Sequence, residues 1–267
     1  MPRGVSPIDE ARLQRRLWTP ALAGTALWLD AADPSVITTT SGAVSQLRDK
    51  SGFGRHVSQS TGANRPGLAT FNGLNALNFD GANDTLDSAT SITSGTYAGP
   101  FNVFYAASRN NAAGGTILAE RTTNLVASSS FFKAAAVNYI SSDGLDAASN
   151  HTISDSTYDA LASGGGIVSH QHVAGARDNL WLNGQSQPVI AGTASNITGA
   201  AGFRIGAREG TTGFRWSGLI GEVVVTLNTL TADDRQRIEG YLAWKWGLRN
   251  ILVATHRYRN RPPLIGA

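Results

Sequence analysis

Apolar residues in this chain recur in short runs, not in long helical stripes. Phe101 to Ser108 (FNVFYAAS) and Glu222 to Leu227 (EVVVTL) are rich in β-branched and aromatic residues and predict core strands. Ala26 to Asp30, Val44 to Asp49, Asn75 to Asp80, Thr116 to Glu120, Ile167 to Ala174, Asn179 to Asn183 and Phe203 to Ala207 predict further strands. Gly, Asn, Asp and Ser separate these runs at roughly 8–12 residue spacing, the rhythm of an all-β sandwich or jelly roll. Residues 121–170 break into short pieces, Phe131-Phe132 and Val137 to Ile140, and predict strands with long loops.

One segment departs from this pattern. Thr231 is a good N-cap, Asp233 and Asp234 suit the positive end of a helix dipole, and Ile238, Tyr241 and Leu242 share a face with Trp246 at its edge. Gly247 suits a left-handed C′ position, with Leu248 folding back on Leu242. A second, short helix is expected from Ile8 to Trp18, with Ser6 as cap, Pro7 at its first position and Pro20 ending it. Pro262-Pro263 marks an extended arm over residues 254–267. The expected organisation is a basic N-terminal helix or anchor (1–24), a sandwich body (25–248) and an extended basic C-terminal arm (249–267).

Composition sharpens this picture. A chain of 267 residues can bury an ample core, and with no cysteine it has neither disulfides nor thiolate metal sites. Its +3 charge is unevenly spread. Residues 1–24 carry Arg3, Arg12, Arg15 and Arg16 against Asp9 and Glu10, and residues 249–267 carry Arg249, Arg257, Arg259 and Arg261 against no acid. The body between is net acidic. Basic ends of this kind dock an acidic protein surface, touch nucleic acid, or are merely solvated. The absence of an aromatic-interleaved basic stripe speaks against nucleic acid. The N-terminal stretch has no apolar core and no run is long enough to span a bilayer, so neither a secretory signal nor membrane insertion is expected.

Four blocks carry a family resemblance: LWLDAADP (27–34) with VSQLRDKSGFGRH (44–56), ALNFDGANDTLD (76–87), HQHVAGARDNLWLNGQ (170–185), and the strand–helix unit ending in QRIEGYLAWKWGL (236–248). Together they resemble the concanavalin A-like (laminin G-like) jelly rolls of bacteriophage and gene transfer agent virion surface proteins. The resemblance implies an all-β jelly-roll sandwich with one C-terminal helix. It also implies a virion structural surface protein: a head spike, decoration or tail fibre, assembled in the host cytoplasm as a homo-oligomer. Its implied partners are other virion proteins of capsid or tail and a host cell-surface polysaccharide. A purely structural module without glycan binding and a glycan hydrolase are the alternatives. The paired-carboxylate strand E-x-D-x-E of glucanases with this fold is absent, so the chain is read as non-enzymatic.

The candidate site residues follow from chemistry. Sugar binding combines an aromatic face with polar side chains, and Trp216 with Arg215, and the loop Arg109-Asn110-Asn111, offer both; Trp216 nevertheless reads as core or interface ahead of ligand, while Trp28, Trp181 and Trp246 read as core. Asp80, Asn83, Asp84 and Asp87 supply hard oxygen ligands for calcium or serve as turn residues bonding their own backbone, and the resemblance to metal-binding relatives adds an acid from the strand before the last helix, here Glu222. No other cofactor is expected. His170 and His172, two apart on one strand face, read as packing before metal ligation. Arg12, Arg15, Arg16, Arg257, Arg259 and Arg261 are the candidates for particle attachment.

Overall fold

Among the described residues of the computed structural model, two large antiparallel sheets and one α-helix form three layers, with a two-stranded ribbon, Gly95–Tyr97 paired with Ile197–Gly199, beside them. The structure describes residues 17–265 apart from 111–114, 122–126, 134–138, 144–150, 155–160, 162–163, 173, 177, 188, 192–195, 200 and 209–213. The central sheet contains β1 (Thr25–Asp30), β2 (Gly67–Phe71), β3 (Leu74–Asp80), β4 (Phe101–Arg109), β5 (Gly166–His172), β6 (Asn179–Leu182), β7 (Gln185–Ser186) and β8 (Ser217–Thr226). Their order is β7-β6-β5-β4-β8-β3-β2, and β1 lies beside the second half of β8 where β3 has ended. The outer sheet runs from Ile37–Thr40 through Ala43–Leu47, Val57–Ser58, Leu86–Ser88, Phe203–Ile205 and Gly115–Arg121 to the strands Ala127–Lys133, Tyr139–Asp143, His151–Ser154 and Val189–Ala191. This is the β-sandwich the strand rhythm predicts. Of the pieces expected in 121–170, Val137 lies outside the described residues.

The central sheet is buried on both faces, which explains why its strands read as continuous apolar runs. Along β4, Phe101, Val103 and Tyr105 point into the core between the sheets, while Phe104 and Ala106 point the other way. Helix α1 (Ala232–Lys245) covers that second face, packing Ile238, Leu242 and Ala243 against Phe104, Val224 and Ile167. Each such buried side chain contributes about 1.5–3 kcal/mol relative to an exposed one. The helix begins as predicted: the Thr231 hydroxyl accepts the Asp234 N–H and the Asp234 carboxylate accepts the Thr231 N–H, a complete capping box. It ends at Gly247 (φ 68°), and the Leu248 N–H returns to the Ala243 carbonyl at 2.7 Å.

A β-bulge sets what lies under the helix. In the β4–β8 pairing Ile220 faces Ala107 and Glu222 faces Ala106, so Gly221 is an extra residue. Ile220 points into the inter-sheet core, and strict alternation would send Glu222 there too. The bulge reverses the parity: Val223 and Val225 take the core side, and Glu222 and Val224 turn to the helix. Gly221 also admits the Trp246 ring, since a Cβ there would sit 2.7 Å from it.

Glu222 is fully buried, yet each carboxylate oxygen is occupied. Oε1 accepts from Trp28 Nε1 (2.6 Å) and the Tyr241 hydroxyl (3.0 Å); Oε2 accepts from Trp246 Nε1 (2.9 Å) and Lys245 Nζ (2.7 Å). Asp30 lies directly opposite on β1, a like-charge cross-strand pair. Lys245 bridges the two acids, and Lys50 binds Asp30 and Asp33 at 2.8 Å each. Burial pushes the Glu222 carboxyl up and the Lys245 ammonium pulls it back. The four donors thus tie the helix end to β1 and β8.

The terminal segments differ from expectation. Residues 8–16 of the predicted N-terminal helix lie outside the described residues; Trp18 and Thr19 are not helical, and Pro20 starts a 3₁₀ turn, Pro20–Ala23. Residues 249–264 are a chain of turns folded back on α1 instead of an extended arm. Tyr258 is buried against Gly240, its carbonyl accepts the Trp244 indole N–H (2.7 Å), and His256 meets Glu239 at 3.0 Å. Aromatic and imidazole groups that can be buried and bonded on the helix outweigh the extended preference of Pro262-Pro263. Leu17 pairs with Leu264, so the two ends of the described chain meet.

On the outer sheet Glu120 is buried beneath residues 89–94, and its Oε1 accepts the N–H groups of Ile92 (2.6 Å) and Thr93 (3.1 Å). Burial pushes its carboxyl up to about 7, against those two bonds and the cations Arg55 and Arg121.

Two outcomes follow. Replacing Glu222 by Ala leaves Lys245 and two buried indole donors without their shared acceptor, and urea unfolding should show a loss of about 3–5 kcal/mol; a change under 1 kcal/mol would contradict this account of the cradle. For Glu120 the folded pKa lies above the unfolded value, so the native state binds more protons and stability falls as pH rises from about 4.5 through about 7. Glu120→Gln should flatten that fall in Tm measured between pH 5 and 8; curves parallel to wild type would contradict it.

Candidate functional site

A cavity of about 180 Å³ opens where the N-terminus of α1 meets the central sheet. Its floor follows from strand alternation. Asn102 and Phe104 of β4, Ser169 and Gln171 of β5, and Trp181 of β6 all point to the helix side, and Leu230, Thr231 and Arg235 form the roof. In β6 the neighbours Leu180 and Leu182 are buried in the inter-sheet core, which leaves Trp181 on the opposite face, half-buried.

Arg235 fixes this site. Its guanidinium lies 4.2 Å from the Trp181 ring centroid and binds both oxygens of Glu239, at 2.6 and 2.7 Å. Glu239 is fully buried and also accepts the Ser169 hydroxyl (2.7 Å) and contacts His256 Nε2 (3.0 Å). The serine, carboxylate and imidazole do not form a nucleophile relay, because the carboxylate stands between the other two. The group instead locks helix, sheet and C-terminal segment around the cavity. Asn102 is fixed by its amide bonds to Thr226 Oγ1 (3.1 Å) and the Asn228 carbonyl (2.9 Å). The result is a rigid wall of indole and phenyl carbon, interleaved with amide, hydroxyl and guanidinium groups, and with no carboxylate among its lining residues.

On the other face of β5, His170 Nε2 and His172 Nδ1 both meet the buried carboxylate of Asp178, at 2.7 and 3.1 Å. Burial opposes ionisation of Asp178, but the bonds from the two imidazoles hold it well below the usual carboxylate range. Both rings are thus committed to packing and to Asp178.

The sequence-derived residues distribute as follows. Trp216 is 2% exposed within the inter-sheet core, so its ring offers no face to a sugar; this corrects its reading as a stacking residue. The structure does bring its neighbours together: Arg109 pairs with Gly218, and the Asn110 N–H bonds the Ser217 carbonyl beside Arg215. Arg109 is itself buried, Asn110 is exposed, and Asn111 lies outside the described residues. Asp80 Oδ1 accepts the N–H groups of Ala82 (2.7 Å) and Asn83 (3.2 Å), and Asp84 accepts the Asp80 N–H (2.9 Å), as turn residues do. Glu222 does not join them. Asp80 pairs with Ser217 at the start of β8, whereas Glu222, five residues on, sits under the helix with every oxygen occupied. Among the described residues no group of three or more His, Asp or Glu is disposed to hold a metal ion. Arg257 pairs with Asp233, Arg259 bonds the Leu252 carbonyl, Arg261 is exposed, and Arg12, Arg15 and Arg16 lie outside the described residues.

Trp181 and Arg235 are the residues sequence reasoning missed. An apolar strand pattern places Trp181 in the core; its alternation with Leu180 and Leu182 is the signal that sets it on the opposite face of the strand.

No protein-family profile and no curated protein sequence matches the chain. Solved structures do match it in fold. The binding domain of Paraclostridial Mosquitocidal Protein 1 aligns with a TM-score of 0.59 at 10% identity, over 82% of this chain and 52% of that one. The botulinum neurotoxin serotype D ligand binding domain in complex with N-acetylneuraminic acid aligns with a TM-score of 0.55 at 13% identity, over 81% and 51%. Trypanosoma rangeli sialidase in complex with sialic acid aligns with a TM-score of 0.53 at 10% identity, over 84% and 33%. The chain thus spans between about a third and about half of the length of these structures, and what it shares with them is the β-sandwich fold.

Proposed function

We propose that this chain is a surface component of a virion, a head spike, decoration or tail fibre, that binds a host cell-surface polysaccharide through the Trp181 cavity without cleaving it. The observation that carries this reading is the half-buried Trp181 indole, held by Arg235 within a cavity edged by Asn102, Ser169 and Gln171. A sugar ring has an apolar C–H face and a rim of hydroxyls, and this lining offers a partner to each. The volume is below the roughly 300–1,000 Å³ of sites that enclose a drug-sized ligand, which suits one sugar unit of a chain that continues into solvent. Two of the matching structures, a sialidase and a toxin ligand binding domain, are complexes with a sialic acid, which is in keeping with a glycan partner here. Absence of carboxylates from the lining favours binding over glycoside hydrolysis, which needs a flanking pair.

The virion setting is supported by the four resembling sequence blocks and by the arginine-bearing ends. The described chain ends pair at Leu17 and Leu264, which suits attachment of both to one docking partner in the particle, with several copies giving avidity for a repeating polysaccharide.

The test is a pull-down of the purified protein on host cells with and without their capsule. Wild type should bind capsulated cells, and Trp181→Ala should bind at least 10-fold more weakly with Tm kept within a few degrees. Equal binding to bare cells, or a Trp181→Ala variant that binds like wild type, would overturn the assignment.

A further inference from the structure

A second depression lies away from the Trp181 cavity, on the loop that follows the outer-sheet strand Leu86–Ser88. It is an open groove of about 430 Å³, lined by Arg55, Thr90, Ser91, Thr93, Ser94 and Gly199 among others. Its wall, residues 89–94, has no regular structure of its own, but both polar edges of its backbone are fixed. Arg55 donates to the carbonyls of Ser91 (3.0 Å) and Ile92 (3.1 Å). From beneath, Glu120 accepts the N–H groups of Ile92 and Thr93. A loop clamped from two sides by charged side chains presents its hydroxyls in a set geometry, which lowers the ordering cost of binding. Thr90 and Ser94, at the two ends of that wall, are exposed.

Beside this groove stands an aromatic ring held out in water. Phe53 is 62% exposed, at the tip of a turn whose flanking residues Gly52 (φ 91°) and Gly54 (φ 70°) are both left-handed. The turn is anchored by Asp49, which accepts the N–H groups of Ser51 (2.9 Å) and Arg55 (3.1 Å). The Arg55 guanidinium lies 4.7 Å from the Phe53 ring centroid. One arginine therefore fixes the groove wall and the ring together. An exposed aromatic alone needs no explanation. Set next to a hydroxyl-lined groove by its contact with Arg55, it offers an apolar face beside polar groups, the combination a sugar ring needs.

We propose that the groove between residues 89–94 and Gly199, with Phe53 beside it, is a second carbohydrate-contact site. It would take a sugar unit whose C–H face packs on Phe53 and whose hydroxyls bond Thr90, Ser94 and the remaining N–H groups of Arg55. This rests on the glycan-binding reading and extends it: one chain gripping a polysaccharide at two places gains effective concentration at the second contact.

The experiment uses the full chain and a panel of immobilised, purified bacterial capsular and cell-wall polysaccharides. Wild type is compared with Phe53→Ala, Thr90→Ala/Ser94→Ala and Trp181→Ala, with Tm measured for each. On a polysaccharide that wild type binds, Phe53→Ala and the Thr90/Ser94 variant should each bind at least 5-fold more weakly with unchanged Tm, since these side chains are exposed. If both bind as wild type does while Trp181→Ala is weakened, the groove is not a sugar site and the glycan reading stands. If wild type binds no polysaccharide on the panel, both proposals fall.

Discussion

A buried carboxylate under the helix, put there by one extra residue in a strand, is the constraint the rest of the structure depends on. Without the Gly221 bulge, Glu222 would point into the apolar core between the two sheets, where ionisation would be very costly. With it, Glu222 faces Lys245 and the indole donors of Trp28 and Trp246, and the glycine leaves room for the Trp246 ring. The cluster brings together β1, β8 and the last turn of α1, elements far apart in sequence. Apolar packing alone would leave the helix free to slide along the sheet. Four directional donors to one carboxylate fix its position as well as its distance.

That fixed helix makes the cavity at its other end. Arg235 leaves the first turn of α1, stacks on Trp181 and binds Glu239, so the shape of the cavity depends on where the helix lies. The C-terminal turns add a second restraint through His256 on Glu239 and Tyr258 on Gly240. Both proposed contact sites share a design: an arginine that lies against an aromatic ring while part of its guanidinium is bound to a buried acid or to backbone carbonyls. Rigid placement of this kind suits weak, repeated contacts with a polymer, where the ordering cost of each contact decides whether it contributes.

Much of the fold was legible because its causes are local. Period-two alternation marks the strands, and Thr231, Asp234 and Gly247 mark both ends of the helix without help from any tertiary contact. What was not legible depends on partners distant in sequence. Glu222 looked like an acid available to the Asp80 turn, because nothing in the run SGLIGEVVVT declares that Gly221 is unpaired. Trp216 lies in the inter-sheet core and Trp181 lines a cavity for a related reason: which face of a strand is covered depends on the layer beside it. The C-terminal segment read as an arm because Pro262-Pro263 is a strong local signal, whereas the burial of His256 and Tyr258 requires the helix to be in place. The resemblance of four sequence blocks to virion jelly rolls located the sandwich but not the cavity: Gln171, Trp181, Thr231 and Arg235 fall within two of the blocks, Asn102, Phe104 and Ser169 lie outside all four, and only the fold brings them together.

The account's central claim is that Trp181, and not Trp216, meets the sugar. The direct measurement is a ¹H–¹⁵N titration that follows the six tryptophan indole signals of the labelled protein as oligosaccharide fragments of a bound capsule are added. The account predicts that the Trp181 indole signal shifts in a saturable manner while those of Trp28, Trp216 and Trp246, buried in the two cores, stay in place. Saturable binding that leaves Trp181 unmoved, or that moves Trp216 instead, would contradict it.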